Sequence, residues 1–144
     1  MLSAGIEKNL IYDVGLNNGE DSEFYLKKGF RVVAIEALPA LAEAARERLH
    51  GYVESGQLTI LNLAVAEKDG PLDFYISEND GLSSACPDSR GHRGNLVKTT
   101  VQGSRFSNVL ARYGAPYFLK VDIEGLDILC LQALREFDSR PKYV

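Results

Sequence analysis

Short, nearly unbroken apolar runs alternate along the chain with stretches in which apolar residues recur at three- and four-residue steps. The runs are Leu10-Ile11-Tyr12 ahead of Asp13, Val32 to Ile35 ahead of Glu36, Leu58 to Val65, and Tyr117 to Val121 ahead of Asp122. Continuous apolar character is what a parallel strand covered on both faces requires. Between the runs, Glu20 to Lys28 carries acids early and lysines late, as a helix dipole favours, and Gly29 stands where the helix should stop. Pro39 suits the first position of a second helix, with Leu41, Ala42, Ala45 and Leu49 as its apolar stripe and His50-Gly51 as its end. Ser104 reads as the cap of a helix carrying Phe106, Val109, Leu110 and Tyr113 on one face, stopped by Gly114. Leu126, Leu129, Cys130, Ala133 and Leu134 mark a last helix, with Cys130 in the core. Strands alternating with helices predict an α/β fold with a mostly parallel sheet.

The middle of the chain breaks this rhythm. After the turn Lys68-Asp69-Gly70-Pro71, Leu72 to Ile76 reads as a strand and Val97 to Val101 as its returning partner. Ser77 to Asn95 between them is polar and glycine-rich, and a loop of that length is often functional. Residues 67–102 therefore form a β-rich insert within a single domain spanning 1–144, and the loop is a candidate substrate lid. Ser83 and Ser84 either reach a ligand or are solvated. His92 reads first as a surface residue and second as a mobile base.

Composition narrows the classes of partner. The 144 residues are 45% hydrophobic and 25% charged, with net charge −4 and pI near 5.2. That balance gives no electrostatic case for nucleic acid or an anionic membrane. Two isolated cysteines make neither a disulfide framework nor a zinc site, so a cytoplasmic location is expected. No run reaches membrane-spanning length, and Met1 to Lys8 lacks a signal-peptide core.

The chemistry concentrates where runs end. Asp13-x-Gly15-x-Asn17-x-Gly19 is a strand-to-helix loop in which both glycines and Asn17 and Asn18 suit a tight turn with positive φ. It lacks the G-x-G-x-x-G spacing of a dinucleotide site, and Asp13 would repel a pyrophosphate but attract a cationic ligand. S-adenosylmethionine, with a sulfonium and an ammonium, fits better than NAD. Glu36 closes the next run about twenty residues on, where an acid accepts ribose hydroxyls in nucleotide-binding α/β folds. Asn62 either bonds neighbouring backbone or lines a purine pocket. Asp122 and Glu124 end the Tyr117 run, so four acids fall at one edge of the sheet. Lys120 on that buried run has no evident role. Asp122 and Glu124 alone are too few oxygen ligands for a metal site, and none is assigned.

Asp13-Val14-Gly15-Leu16-Asn17-Asn18-Gly19, Glu36, Asn62-Leu63-Ala64-Val65 and Leu119-Lys120-Val121-Asp122-Ile123-Glu124-Gly125 together resemble the FkbM family of S-adenosylmethionine-dependent methyltransferases. The final motif is the most specific of these, and the likeness runs from about Leu10 to Leu134. Ala37 stands where such proteins often have proline. The resemblance implies a Rossmann-like class I methyltransferase fold, α/β with a mostly parallel sheet, flanking helices and a β-rich insert. That fold has seven strands, and Pro141 to Val144 reads as the opening of the fifth, so the last strands are expected to be missing. The cofactor set expected on this basis is Asp13, Gly15, Asn17, Asn18, Gly19, Glu36, Ala37, Asn62, Ala64, Ser84 and Asp122. Glu124 is the first choice as catalytic base and Asp122 the second. The expected acceptor is a hydroxyl on a small molecule or carbohydrate, and an exposed sheet edge would favour self-association. A non-catalytic S-adenosylmethionine-binding module and a nicotinamide-dependent oxidoreductase are the competing readings.

Overall fold

A computed structural model describes residues 6–77, 83–84, 96–122, 127–134 and 144. Along the chain the elements are β1 (Ile6–Val14), α1 (Glu20–Lys27), β2 (Arg31–Ile35), α2 (Pro39–Arg48), α3 (His50–Ser55), β3 (Leu58–Leu61), β4 (Ala64–Val65), β5 (Gly70–Ser77), β6 (Ser83–Ser84), β7 (Leu96–Ser104), α4 (Phe106–Tyr113), β8 (Ala115–Val121) and α5 (Asp127–Leu134). One sheet has the order β3-β2-β1-β8, and each neighbouring pair is parallel.

Both faces of this sheet are covered, which is why its strands read as continuous apolar runs. Leu10, Tyr12 and Val14 of β1 join Val33, Ile35 and Leu119 against Phe106, Val109 and Leu110 of α4 and Cys130 and Leu134 of α5. On the opposite face, Ile11, Val32, Ala34, Leu58 and Ile60 meet Leu26 of α1, Ala42 and Ala45 of α2, and Leu49. The buried Tyr12 needs a partner for its hydroxyl. It donates to the Gly114 carbonyl at the end of α4, and its ring meets Phe106 edge-on at 5.9 Å.

A second sheet has the order β4-β7-β5-β6. β5 and β7 pair antiparallel from Gly70↔Gly103 to Ser77↔Leu96, and β4 adds a parallel pair to β7. A side chain on Gly103 would begin 2.9 Å from the Gly70 carbonyl oxygen and 3.2 Å from Ala66 Cβ, so only hydrogen fits where these strands converge. Leu38, Ala64 and Val101 form a small apolar cluster joining this sheet to the segment after β2.

Four expectations are corrected. The run Leu58 to Val65 is not one strand: it breaks at Asn62-Leu63, and Ala64-Val65 leaves to pair with β7. The break is held by the Asn62 amide, which donates to the carbonyls of Glu36 (2.8 Å) and Ala37 (3.1 Å). The helical region does not end at His50-Gly51. It continues as α3, because Tyr52 and Val53 pack on the apolar face, and Gly56 at φ 83° makes the stop. Ser104 does not cap α4, since it is still in β7 with its hydroxyl on the Arg105 carbonyl. Asp69 caps the helix instead, its Oδ1 accepting from the Arg105 N–H at 2.9 Å and from Asn108 Nδ2 at 2.8 Å. Finally, Ser83 and Ser84 are not loop residues but a short strand opposite Ile76 and Tyr75. The rest of the expected lid, including His92, lies outside the described residues, as does the expected strand at Pro141. Among the described residues no helix is long and apolar enough to cross a membrane.

Candidate functional site

The carboxyl ends of the parallel strands are stitched together by their own backbone. The Gly15 and Leu16 N–H groups both donate to the Ile35 carbonyl (2.9 and 3.1 Å), Asp122 N–H donates to Val14 (2.8 Å), and Glu36 N–H donates to Leu61 (3.0 Å). The ends of β8, β1, β2 and β3 therefore stand side by side. The chain runs outward from β1 to β2 and β3, then returns to place β8 on the other flank. Such a reversal is where ligand crevices open in α/β sheets.

The turn from β1 to α1 has left-handed backbone at Gly15 (φ 94°), Asn17 (φ 52°) and Gly19 (φ 82°). Leu16 is buried and anchors the turn in the core, its carbonyl accepting from the Gly19 N–H at 3.0 Å. The left-handed φ of Gly19 favours glycine, and a Cβ there would lie 3.0 Å from the flexible tip of Arg48, at Nη2, and 3.4 Å from Leu49 Cδ1. Arg48 donates to the Asn18 carbonyl (2.6 Å) and pairs with Glu23 (3.1 Å), bracing the turn from the end of α2. Asn18 Oδ1 accepts from the Glu20 N–H at 3.2 Å and so caps α1.

Glu36 follows β2 and is 5% exposed. Its Oε2 accepts from the Asn17 N–H (2.8 Å) and its Oε1 from the Leu38 N–H (3.1 Å), tying the two loops together. Burial raises this carboxyl above the usual glutamate range, opposed by the N–H groups of Leu38, Asn17 and Ala37. A carboxylate has about four acceptor positions. The Asn17 and Leu38 N–H groups take two and the Ala37 N–H also acts on the carboxylate, so capacity for a further donor such as a hydroxyl remains.

Asp13 is 0% exposed and lies under α1. Its Oδ2 accepts from the Ser22 hydroxyl at 2.7 Å. Such a bond to a charged group contributes about 1.5–3 kcal/mol. Its Oδ1 faces the Lys120 ammonium at 3.4 Å, in ion-pair rather than hydrogen-bond geometry. Lys120 also bonds to Asp21 in the first turn of α1. Burial raises the Asp13 carboxyl above its usual range, against the Ser22 bond and the Lys120 charge. Burial also works against the charged Lys120, but Asp21 and Asp13 outweigh it and hold its ammonium above the ordinary lysine value.

The structure thus brings Asp13, Gly15, Asn17, Asn18, Gly19, Glu36, Ala37, Asn62 and the exposed Asp122 to one end of the sheet. Ala64 is buried with Leu38 and Val101, in the cluster against which Ala37 packs. Ser84 belongs to β6, and Glu124 lies outside the described residues. Ser22, Arg48 and Lys120 were missed as contributors. Ser22 left a faint signal, being a small polar residue one helical turn before Leu26, on the buried side of α1.

Comparison with known proteins identifies the family. The profile of the methyltransferase FkbM domain matches residues 13–144. Two curated proteins, the ubiquinone biosynthesis O-methyltransferases of Xylella fastidiosa strains M23 and Temecula1, are 27% identical over 128 aligned positions, covering 80% of this chain and 51% of theirs. The chain thus spans about half the length of those relatives. No solved structure gives a significant match. A parallel α/β sheet in Rossmann-like order, the paired loops at its carboxyl edge and the profile match lead to one assignment: the chain belongs to the FkbM methyltransferase family.

Proposed function

We propose that this chain binds S-adenosylmethionine at the carboxyl ends of β1, β2 and β8 and serves methyl transfer to a hydroxyl oxygen of a small molecule or carbohydrate. The observation that carries this reading is Glu36, whose buried carboxylate ties the β1–α1 turn to the β2–α2 loop and keeps acceptor capacity beyond those bonds. A ribose hydroxyl matches that capacity, whereas Asp13, buried and paired with Lys120 and Ser22, supports the turn from behind and does not itself meet the ligand. The donor, when bound, supplies an electrophilic methyl group on sulfonium.

The chain's own residues bind and orient. Glu36 accepts a ribose hydroxyl, Asn62 fixes the Glu36-Ala37 backbone, and Gly15, Asn17, Asn18 and Gly19 shape the turn. Asp122, exposed at the end of β8, lies toward the methionine portion. Glu124 is proposed as the base that takes the acceptor's proton, with Asp122 second. Holding donor and acceptor in attack geometry supplies about 7–11 kcal/mol of such a barrier. The family supports methyl transfer, and the likeness to two O-methyltransferases supports oxygen as the acceptor atom.

Calorimetric titration with S-adenosylhomocysteine tests this reading. The wild-type chain should bind it in preference to NAD, and Glu36→Ala should weaken binding by about tenfold or more, the equivalent of ~1.4 kcal/mol. Asp13→Ala should weaken it as well. A well-folded chain that prefers NAD, or whose affinity neither substitution changes, would overturn the proposal.

A further inference from the structure

We propose that Lys120 is a positioning residue for the donor site: held between Asp13 and Asp21, its ammonium keeps the buried Asp13 carboxylate charged and the β1–α1 turn in its binding shape. The inference rests on the reading of that turn as the donor site. Asp13 and Lys120 are direct partners in the parallel pairing of β1 and β8, so their side chains rise from the same face of the sheet beneath α1. Lys120 is 23% exposed within an otherwise apolar run. Its second partner, Asp21, sits in the first turn of α1, next to Ser22, which holds the other oxygen of Asp13. One ammonium therefore ties β8 and α1 to the acid that precedes the turn.

The charges around Asp13 show what depends on this contact. From α1 it faces Asp21 and Tyr25, from β8 Lys120, and beyond β2 it senses Glu36, while its partner on β2 is the uncharged Ala34. Lys120 is the cation in this group. Remove it, and a fully buried carboxylate is left beside two further acids and a phenol. Such a group escapes by taking up a proton. A protonated Asp13 can still accept from Ser22 at Oδ2, but without the charge assistance that strengthens the bond anchoring the first turn of α1. The link also joins the two motifs of the chain, Asp13 to Gly19 and Leu119 to Gly125, through strand register alone.

The test follows Asp13 directly. In the ligand-free chain, the carboxyl carbon of Asp13 is titrated by NMR in wild type, Lys120→Met and Lys120→Arg, and S-adenosylhomocysteine affinity is measured against pH by calorimetry. In Lys120→Met the Asp13 midpoint should rise by about one to three pH units, the usual span for loss of a close counter-charge. Affinity should fall below that of wild type at pH values under the new midpoint and recover as pH climbs through it. Lys120→Arg should retain most of both properties, and Asp13→Asn with Lys120→Met should bind weakly with no such pH dependence. An unchanged Asp13 midpoint overturns the inference. So does tighter binding in Lys120→Met, which would make Lys120 a competitor of the ligand's amino group. If Lys120→Met does not fold, the double variant decides: recovery of the fold supports an uncompensated charge as the cause, and failure reduces Lys120 to packing. A wild-type chain that binds no S-adenosylhomocysteine defeats the donor-site reading, while the ligand-free titration still judges the hold of Lys120 on Asp13.

Discussion

Among the described residues no cation pairs with the buried acid Glu36, which is held by hydrogen bonds from the Asn17 and Leu38 N–H groups of two different loops. Its carboxyl is raised in the fold, so between its ordinary value near 4.5 and that raised value the folded chain holds more proton than the unfolded one. Stability from this group is therefore greatest at low pH and is lost as pH rises through the folded value. In Glu36→Gln the amide can satisfy only one of the two N–H groups, and the buried donor left over costs about 1–3 kcal/mol. Urea unfolding at a series of pH values should show wild type gaining on Glu36→Gln as pH falls from 7 toward 4.5. A gap that narrows on acidification would contradict the assignment. The position of Glu36 was legible from its spacing after the glycine turn, because a βαβ unit has a nearly fixed length. That its oxygens would bond to Asn17 and Leu38 was not, since this depends on how two loops meet. Lys120 was visible as an oddity in an apolar run, but its partner is set by strand register, which no local pattern carries.

At the scale of elements, α4 shows the same division. Its bounds, Phe106 to Tyr113 with Gly114 after it, follow from apolar residues at helical spacing and a glycine stop, and the structure agrees. Its cap comes from Asp69, 36 residues earlier, and the nearest hydroxyl in sequence is passed over. The Arg105 N–H and the Asn108 amide hold the Asp69 carboxyl below its usual range. A depressed carboxyl stabilises the fold above its unfolded value, near 3.8, and that contribution is lost as pH falls through the folded value. Asp69→Ala should therefore lower Tm by a constant amount above about pH 4.5, and the difference should shrink below pH 3.8. A Ser104→Ala change should leave Tm nearly unmoved, and the opposite ranking would restore the local cap.

Across the whole molecule, the two sheets are held very differently. The parallel sheet is sandwiched between two apolar layers, whereas the antiparallel sheet leans on the small cluster around Leu38, Ala64 and Val101. Local opening free energies follow buried contact, so amides of β1 and β2 should exchange only on global unfolding and those of β5 and β7 at distinctly lower cost. Native-state hydrogen exchange measures this, and equal protection in both sheets would mean that they unfold as one unit. Strand alternation made the parallel sheet legible, since each run carries its own burial signature. The departure of Ala64-Val65 to the second sheet was hidden, because an apolar pair reads alike in either sheet. That departure makes the base of the β5–β7 hairpin a socket. Ala64-Val65 on one side, and Gly103 wedged against the Gly70 carbonyl on the other, fix where the hairpin plugs in. Leu72 and Val101 next to the socket still brace Leu38 after Glu36, so changes should be tolerated better toward the far end of the hairpin. In engineering terms, the chain has a tool head, interchangeable toward its tip, on a fixed handle.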